Sequence, residues 1–335
     1  VAAAGQVLEI GKRAGGLENV MDDDAALSRL DLVVDRGKLV VFDLDHVRPY
    51  LDTLPLVGRL TGPLQAGGFF DRMTVDADWL FEDARVEGGG DNRLALAGDI
   101  TLGGAEGMVF HDTRIPVADL DLRTIRLVTP AVALDGRLAL AGELNGPWRD
   151  VEYRGRVEHR DGDRAPSSLS GRARLDTRGS VLAVDADLVV DSVAFDGIRR
   201  SFPTAPMLGR VGGTVRLLGR LDSLLVSGRL TGRIGSYRFA GVTEMTPPRW
   251  GARGLRIDFV DADLASLGGR GPGSRLAGRL ELTGRLDSAT PPDAMVDLTL
   301  SKGSIREFLF DSARAKFRIR DGLMTDEHEV DPNEI

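Results

Sequence analysis

The chain has 335 residues, 42% of them hydrophobic and 28% charged, with a formal net charge of −8 and no cysteine. The apolar share is enough to bury a core, which excludes a disordered acidic chain. The missing cysteine excludes a disulfide framework, a zinc–thiolate site and a thiol nucleophile. With aromatics at only 5% and acids in excess, the basic, aromatic-studded surface that captures nucleic acid is missing too, so no nucleic-acid partner is expected. Glycine is the outlier: 42 copies, against a usual share of about 7%.

In chain order, the opening VAAAGQVLEIGKRAGG has no basic region followed by an apolar run, so it does not read as a signal peptide. Asp22 to Leu30 could form a turn or two of helix behind the capping aspartates Asp22 to Asp24, and Val47 to Leu54 another, stopped by Pro55. Between them, Asp43, Asp45 and His46 invite a metal reading. Solvated aspartates on the polar face of a strand explain the same residues, so no metal is expected. From Met73 onward the apolar period is close to two. Met73, Val75, Ala77, Trp79 and Phe81 alternate with Thr74, Asp76, Asp78, Leu80 and Glu82. Leu182, Val184, Ala186, Leu188 and Val190 alternate with Ala183, Asp185, Asp187, Val189 and Asp191. Leu255, Ile257 and Phe259 continue the pattern, as do Val296, Leu298 and Leu300. Successive strand side chains point to opposite faces, so each segment is a ribbon with one apolar and one charged face. Such half-wet ribbons predict antiparallel strands, since a parallel sheet covered on both faces reads as continuous apolar runs. Gly88 to Gly90, Gly268 and Gly269, Gly271 to Gly273, and Pro291 and Pro292 mark turns between them.

The glycines recur in register. GRLALAGELNG from Gly136, GTVRLLGRLDS from Gly213 and GRLELTGRLDS from Gly278 are copies of one pattern, and Pro55 to Val75 matches Pro206 to Val226 without a gap. Degenerate repetition of a β unit predicts a sheet that grows by adding strands. About twenty strands at roughly 4.8 Å each make an array on the order of 90–100 Å. Its apolar face has no stock of helices to cover it, and exposure costs about 25 cal/mol per Å². The sheet must therefore curl, into a sandwich with a filled core or a trough with an apolar inner wall.

The GRLxLxGxL repeats, PLVGRLTGPL from Pro55, DADLVVDSVAFDG from Asp185 and SIREFLFDSARAKFRIRDGLM from Ser304 to Met324 together resemble the AsmA-like superfamily, most closely its TamB family. The likeness runs from about Leu30 to Met324 and rests on glycine-punctuated amphipathic strands, with no catalytic signature. It implies an all-β fold: a long, curved, mostly antiparallel sheet forming a U-shaped, taco-like β-groove from degenerate repeats, with only short helical segments. It also implies a periplasmic segment, anchored in the inner membrane by residues outside this sequence, that carries phospholipid acyl chains between the inner and outer membranes. Support of outer-membrane protein assembly and secretion comes with the resemblance, as does an Omp85-type outer-membrane barrel partner held through other parts of the parent chain. No run of eighteen apolar residues occurs, so no transmembrane span is expected within the segment. Residues 1–335 then read as one continuous stretch of a longer protein: an irregular or short-helical lead-in over 1–29, β repeats over 30–324 and an acidic end over 325–335, expected to be disordered.

Under that reading the acyl chains lie on the inward residues Leu138, Leu140, Leu144, Leu188, Val190, Val215, Leu217, Leu221, Ile257, Phe259, Leu280, Leu282, Leu286, Val296 and Leu298. No cofactor and no enzymatic activity are expected. The same residues would equally serve a ligand-free structural or adhesive extracellular β-solenoid with a filled core. The two readings differ on whether the inward ladder is open or packed.

Overall fold

The computed structural model describes residues 39–43 and most of 57–326; residue 89, 104–105, 129–131, 133, 199, 202–208, 247–248, 267–270, 286–292, 302 and 321–322 are not described. The helices expected over 22–30 and 47–54, the side chains of the Asp43, Asp45 and His46 cluster, and most of the acidic end lie outside the described residues. Those described form an all-β protein with an open, antiparallel sheet not closed into a barrel.

Two compact units divide the chain. The first carries β1 (Leu39–Asp43), β2 (Gly58–Phe69), β3 (Arg72–Asp83), β4 (Gly90–Leu102), β5 (Met108–Asp121), helix α1 (Leu122–Val128), β6 (Arg137–Pro147) and β7 (Asp150–Arg160). Each strand pairs antiparallel with the next. β8 (Ser167–Asp176) is shared, its first residues belonging to the second unit and Arg174 onward to the first. The second unit continues with β9 (Ala183–Ala194), helix α2 (Phe195–Ile198), β10 (Arg210–Arg220), β11 (Ser223–Gly232), β12 (Gly235–Thr246), β13 (Arg249–Ala262), a 3-10 turn (Leu264–Ser266), β14 (Ser274–Arg285) and β15 (Asp293–Leu300). It closes with β16 (Gly303–Ile305), β17 (Phe308–Phe310), β18 (Ala313–Arg320) and β19 (Leu323–Asp326). Here too the order is a meander, except that β18 pairs with β15 and the β16–β17 hairpin leans on the start of β14.

The alternation read from sequence is the alternation of burial. In β3, Met73, Val75 and Ala77 are buried while Arg72, Thr74 and Asp76 are exposed. With Ala66 they form the first unit's core cluster, against which Leu64, Trp79, Ile100 and Leu102 pack. The wet face is stitched by cross-strand pairs such as Arg93–Asp78, Arg279–Asp258 and Arg314–Asp297. Exposed pairs of this kind contribute little stability but keep that face polar.

The repeats seen in sequence are blocks of four strands. The three GRL-type copies lie on β6, β10 and β14, starting at Gly136, Gly213 and Gly278, and the longer match aligns β2 with β10. Each block ends in a helical connection: α1 follows β5, α2 follows β9 and the 3-10 turn follows β13. Other joints are tight, as at Trp148–Arg149 and Leu221–Asp222. α1 is seated by side chains. The Asp121 carboxylate accepts from the Arg123 backbone N–H at 2.8 Å, an N-cap contact. The buried Asn92 amide donates to Thr124 Oγ1 at 3.1 Å and accepts from the Asp121 N–H at 2.7 Å, and Leu122 is only 1% exposed.

Three strands are irregular, β9 shifting register once against β10 between Val193 and Val190. β5 shifts register against β6 twice, with Asp112 at a positive φ of 49°, and β13 shifts twice against β14, with Gly254 at 58° and Asp261 at 55°. Bulges add twist and re-aim side chains. All three strands immediately precede a helical connection.

Candidate functional site

In an antiparallel ladder, residues directly opposite each other share a face, so the strand registers assemble the apolar face of the second unit row by row. One row runs Leu188, Val215, Gly228, Phe239, Ile257, Leu280, Leu298 and Ala315 across β9, β10, β11, β12, β13, β14, β15 and β18. The next joins Ala186, Leu217, Val226 and Gly241. Across the β12–β13 register shift, a Cβ on Gly241 would meet Leu255 Cα at 2.6 Å, and the row resumes as Leu255, Leu282, Val296 and Phe317. On the other side lie Val190, Gly213, Leu230, Tyr237, Phe259, Gly278, Leu300 and Ala313. None of these positions carries a charge. The arginines and carboxylates of the same strands, such as Arg216 with Asp187 and Arg256 with Glu281, pair on the opposite face.

Burial across this face is uneven. At one margin Val211, Ile234, Ala262 and Leu276 are buried, and at the other Leu224, Ala252 and Ala294. In the row from Leu188 to Ala315, midway between the margins, every residue is half-buried or exposed. A second layer packed on the face would bury the middle first, because sheet packing interdigitates the central side chains. Among the described residues of this unit the middle row is thus only half-buried, although Ala186, Val190 and Val296 in the rows beside it are buried.

Glycine shapes the same surface. Phe239 stands opposite Gly228, and its ring tip lies 2.7 Å from the place a Gly228 Cβ would take; Phe259 stands opposite Gly278, its ring tip 3.2 Å from the corresponding place. Tyr153, on β7 in the first unit, lies with its hydroxyl 2.6 Å from where a Gly155 Cβ would sit. The aromatic rings thus lean across the sheet over glycine. Gly213 has a φ of 150°, and a Cβ there would run into the Arg229 carbonyl; only glycine adopts that backbone without strain.

Most polar atoms on these faces are tied off, the buried Trp79 Nε1 being without a hydrogen-bond partner. The Tyr237 hydroxyl donates to the Ile234 carbonyl at 2.6 Å and the Tyr153 hydroxyl reaches the Ala141 carbonyl at 2.9 Å. Burial pushes both phenols above their ordinary value, so they stay neutral. Thr113, fully buried, donates to the Asp99 carbonyl at 2.8 Å.

The structure places the sequence-read residues as follows. Leu188, Val190, Val215, Leu217, Ile257, Phe259, Leu280, Leu282, Val296 and Leu298 come together on this face of the second unit. Leu138, Leu140 and Leu144, half-buried, line the corresponding face of β6 in the first, opposite Leu120, Ala118 and Thr113. Leu221 lies in the β10–β11 turn rather than on a strand; its N–H donates to the Leu182 carbonyl at 2.9 Å. Leu286 lies outside the described residues. Val226, Tyr237 and Phe239 complete the rows without having been singled out, and Leu255, read as part of an alternating strand, joins them. The period-two run Tyr237, Phe239 and Gly241 carried the signal, hidden because its third member is glycine. Among the described residues there is no group of three or more potential metal ligands, and no helix long and apolar enough to cross a membrane.

No protein-family model matches this chain, and neither the curated proteins nor the solved structures contain a match to it.

Proposed function

We propose that the chain is a segment of a TamB-like, AsmA-related carrier whose apolar sheet face holds phospholipid acyl chains in transit between two membranes. The observation that carries the reading is the half-open middle row from Leu188 to Leu298. It is an uncharged stripe across successive strands, half-buried in the middle and flanked by buried margins. Each methylene that leaves water for such a wall gains about 0.8 kcal/mol. A wall of small aliphatics offers the chain similar contacts at every step, so a lipid is held against water yet moves along the stripe with little barrier. Headgroups remain in water at the margin. In this role the parent protein is periplasmic, anchored in an inner membrane through residues outside this sequence, and supports outer-membrane protein assembly together with an Omp85-type barrel.

Mass spectrometry of lipid co-purifying with the segment tests the reading, together with uptake of a photocrosslinkable phospholipid. The expected result is phospholipid in the purified protein and crosslinks to Val215, Ile257 or Leu280. Protein that is free of lipid and takes up no probe would leave a packed structural β-solenoid as the better account. Leu140→Arg with Leu217→Arg, one on the apolar face of each unit, should abolish uptake, because a guanidinium there is costly beside an acyl chain.

A further inference from the structure

The β16–β17 hairpin is an insertion. Leu300, which ends β15, lies directly opposite Ala313, which begins β18, so the sheet continues across the joint and the hairpin projects from its margin. It is held by β14: Ser274 pairs with Ile305, Arg275 pairs with Ser304, and the Arg306 N–H donates to the Gly273 carbonyl at 2.9 Å. At its tip Phe308 is 79% and Leu309 82% exposed; the next most exposed large apolar side chain among the described residues is Val260, at 54%. The registers Ser274–Ile305–Phe308 and Arg275–Ser304–Leu309 put the two tip side chains on opposite faces of the hairpin. Phe308 is thereby on the side that continues the apolar face through Leu276.

Charges of both signs surround the tip. Arg306 and Glu307 form the turn, Asp311 follows β17, and Arg275, 82% exposed, lies 3.7 Å from Asp261. Two points choose the occupant. An aromatic side chain buries about 150–250 Å², so Phe308 and Leu309 together fall well short of the roughly 800 Å² per partner that a stable protein contact needs. A bilayer sets no such minimum and no shape requirement. Paired opposite charges also complement a zwitterionic headgroup, with arginine facing phosphate and carboxylate facing ammonium.

We propose that this hairpin is a membrane-dipping lip, which enters the interface of a zwitterionic phospholipid bilayer through Phe308 and Leu309 and brings the margin of the apolar face to the lipid. The inference rests on the proposed lipid-carrying role. A two-residue tip gives weak, reversible attachment, suited to a contact that forms and releases.

Flotation with phosphatidylethanolamine–phosphatidylcholine vesicles provides the test. Phe308→Ser with Leu309→Ser should lower vesicle partitioning at least tenfold while thermal stability holds, because neither side chain is in a core. In a second variant, Leu309→Trp, tryptophan emission should shift to the blue when vesicles are added. Unchanged flotation of the double variant overturns the proposal, as does an emission unmoved by vesicles. Self-association in the absence of vesicles that the double variant abolishes also overturns it, in favour of a protein partner. Lipid uptake measured on the same samples separates the two readings. If the lip alone is wrong, Leu140→Arg with Leu217→Arg still blocks uptake; if the carrier is wrong, no variant takes up lipid at all.

Discussion

The Phe239 ring occupies the space that a side chain at Gly228 would need, on the strand directly opposite. Gly228 is thus neither a turn residue nor a flexible one. It is an inward strand position kept empty so that a bulky neighbour can lie down, and the face stays shallow where it would otherwise be ridged.

Gly228→Ala should destabilise the protein by about 1–3 kcal/mol, the usual penalty for forcing an extra group into a filled site. Adding Phe239→Leu should return only part of the loss, because a Cβ at 228 also runs into the Thr214 carbonyl. Urea unfolding of the three proteins measures both effects; full recovery in the double variant would place the whole conflict in the ring.

Truncations distinguish the open middle from the packed margin. Leu224, 1% exposed at the margin, should cost about 2–5 kcal/mol as Leu224→Ala. Ile257, in the half-buried middle row, should cost clearly less as Ile257→Ala, since part of its surface already meets solvent. Equal losses at the two positions would mean that the middle is packed in solution.

Asn92 holds the start of α1 to β4 through a buried amide. Asn92→Ala leaves the Asp121 N–H and the Gly90 carbonyl without that partner, and buried groups left so cost about 1–3 kcal/mol each. Amide hydrogen exchange should show faster exchange at Asp121 and through Leu122–Val128 than elsewhere in the first unit. Protection unchanged at Asp121 would show that the amide does not seat the helix.

Acid should loosen one hairpin joint first. The Arg174 guanidinium grips the Asp150 carboxylate at 2.6 Å through both of its oxygens, and Arg178 bonds Asp176 at 2.7 Å. The hydrogen bonds from Arg174 hold Asp150 below its usual range, and those from Arg178 bring Asp176 down to about 2. A carboxylate whose folded value lies below its unfolded one lends stability that is fully present above the unfolded value and lost as pH falls through the folded value. The thermal midpoint should therefore drop as pH falls from about 4 towards 2, and Asp176→Asn should flatten that slope. Parallel slopes for the two proteins would assign the acid sensitivity elsewhere.

The strands were legible because their signal is a period of two, written in each segment by its own residues: Met73 to Phe81 alternates in burial as it alternates in sequence. The GRL repeats likewise marked every fourth strand from β6 onward. What stayed hidden depends on partners. The double register shifts of β5 are set by how it meets β6, with Asp112 carrying the kink. α1 has the short sequence LRTIRLV and is fixed by Asn92, some thirty positions upstream, rather than by periodicity of its own. Leu221 shares the GRL pattern with Leu144, yet the first falls in a turn and the second on a strand, because β10 ends four residues earlier relative to its repeat. Of the apolar stripe, the leucines, the valines and Phe259 could be read; the glycines between them, and the way the rings lean over those glycines, could not.

The four-strand block has a consequence for how such a chain can change length. An even number of antiparallel strands brings the chain back to the margin it left, so duplicating or deleting a whole block leaves every later strand running in its former direction. The loss of a single strand would reverse all that follow and carry each downstream helical connection to the opposite margin. Reach can therefore be lengthened or shortened in whole blocks without redesigning any strand, while single-strand insertions should be strongly disfavoured.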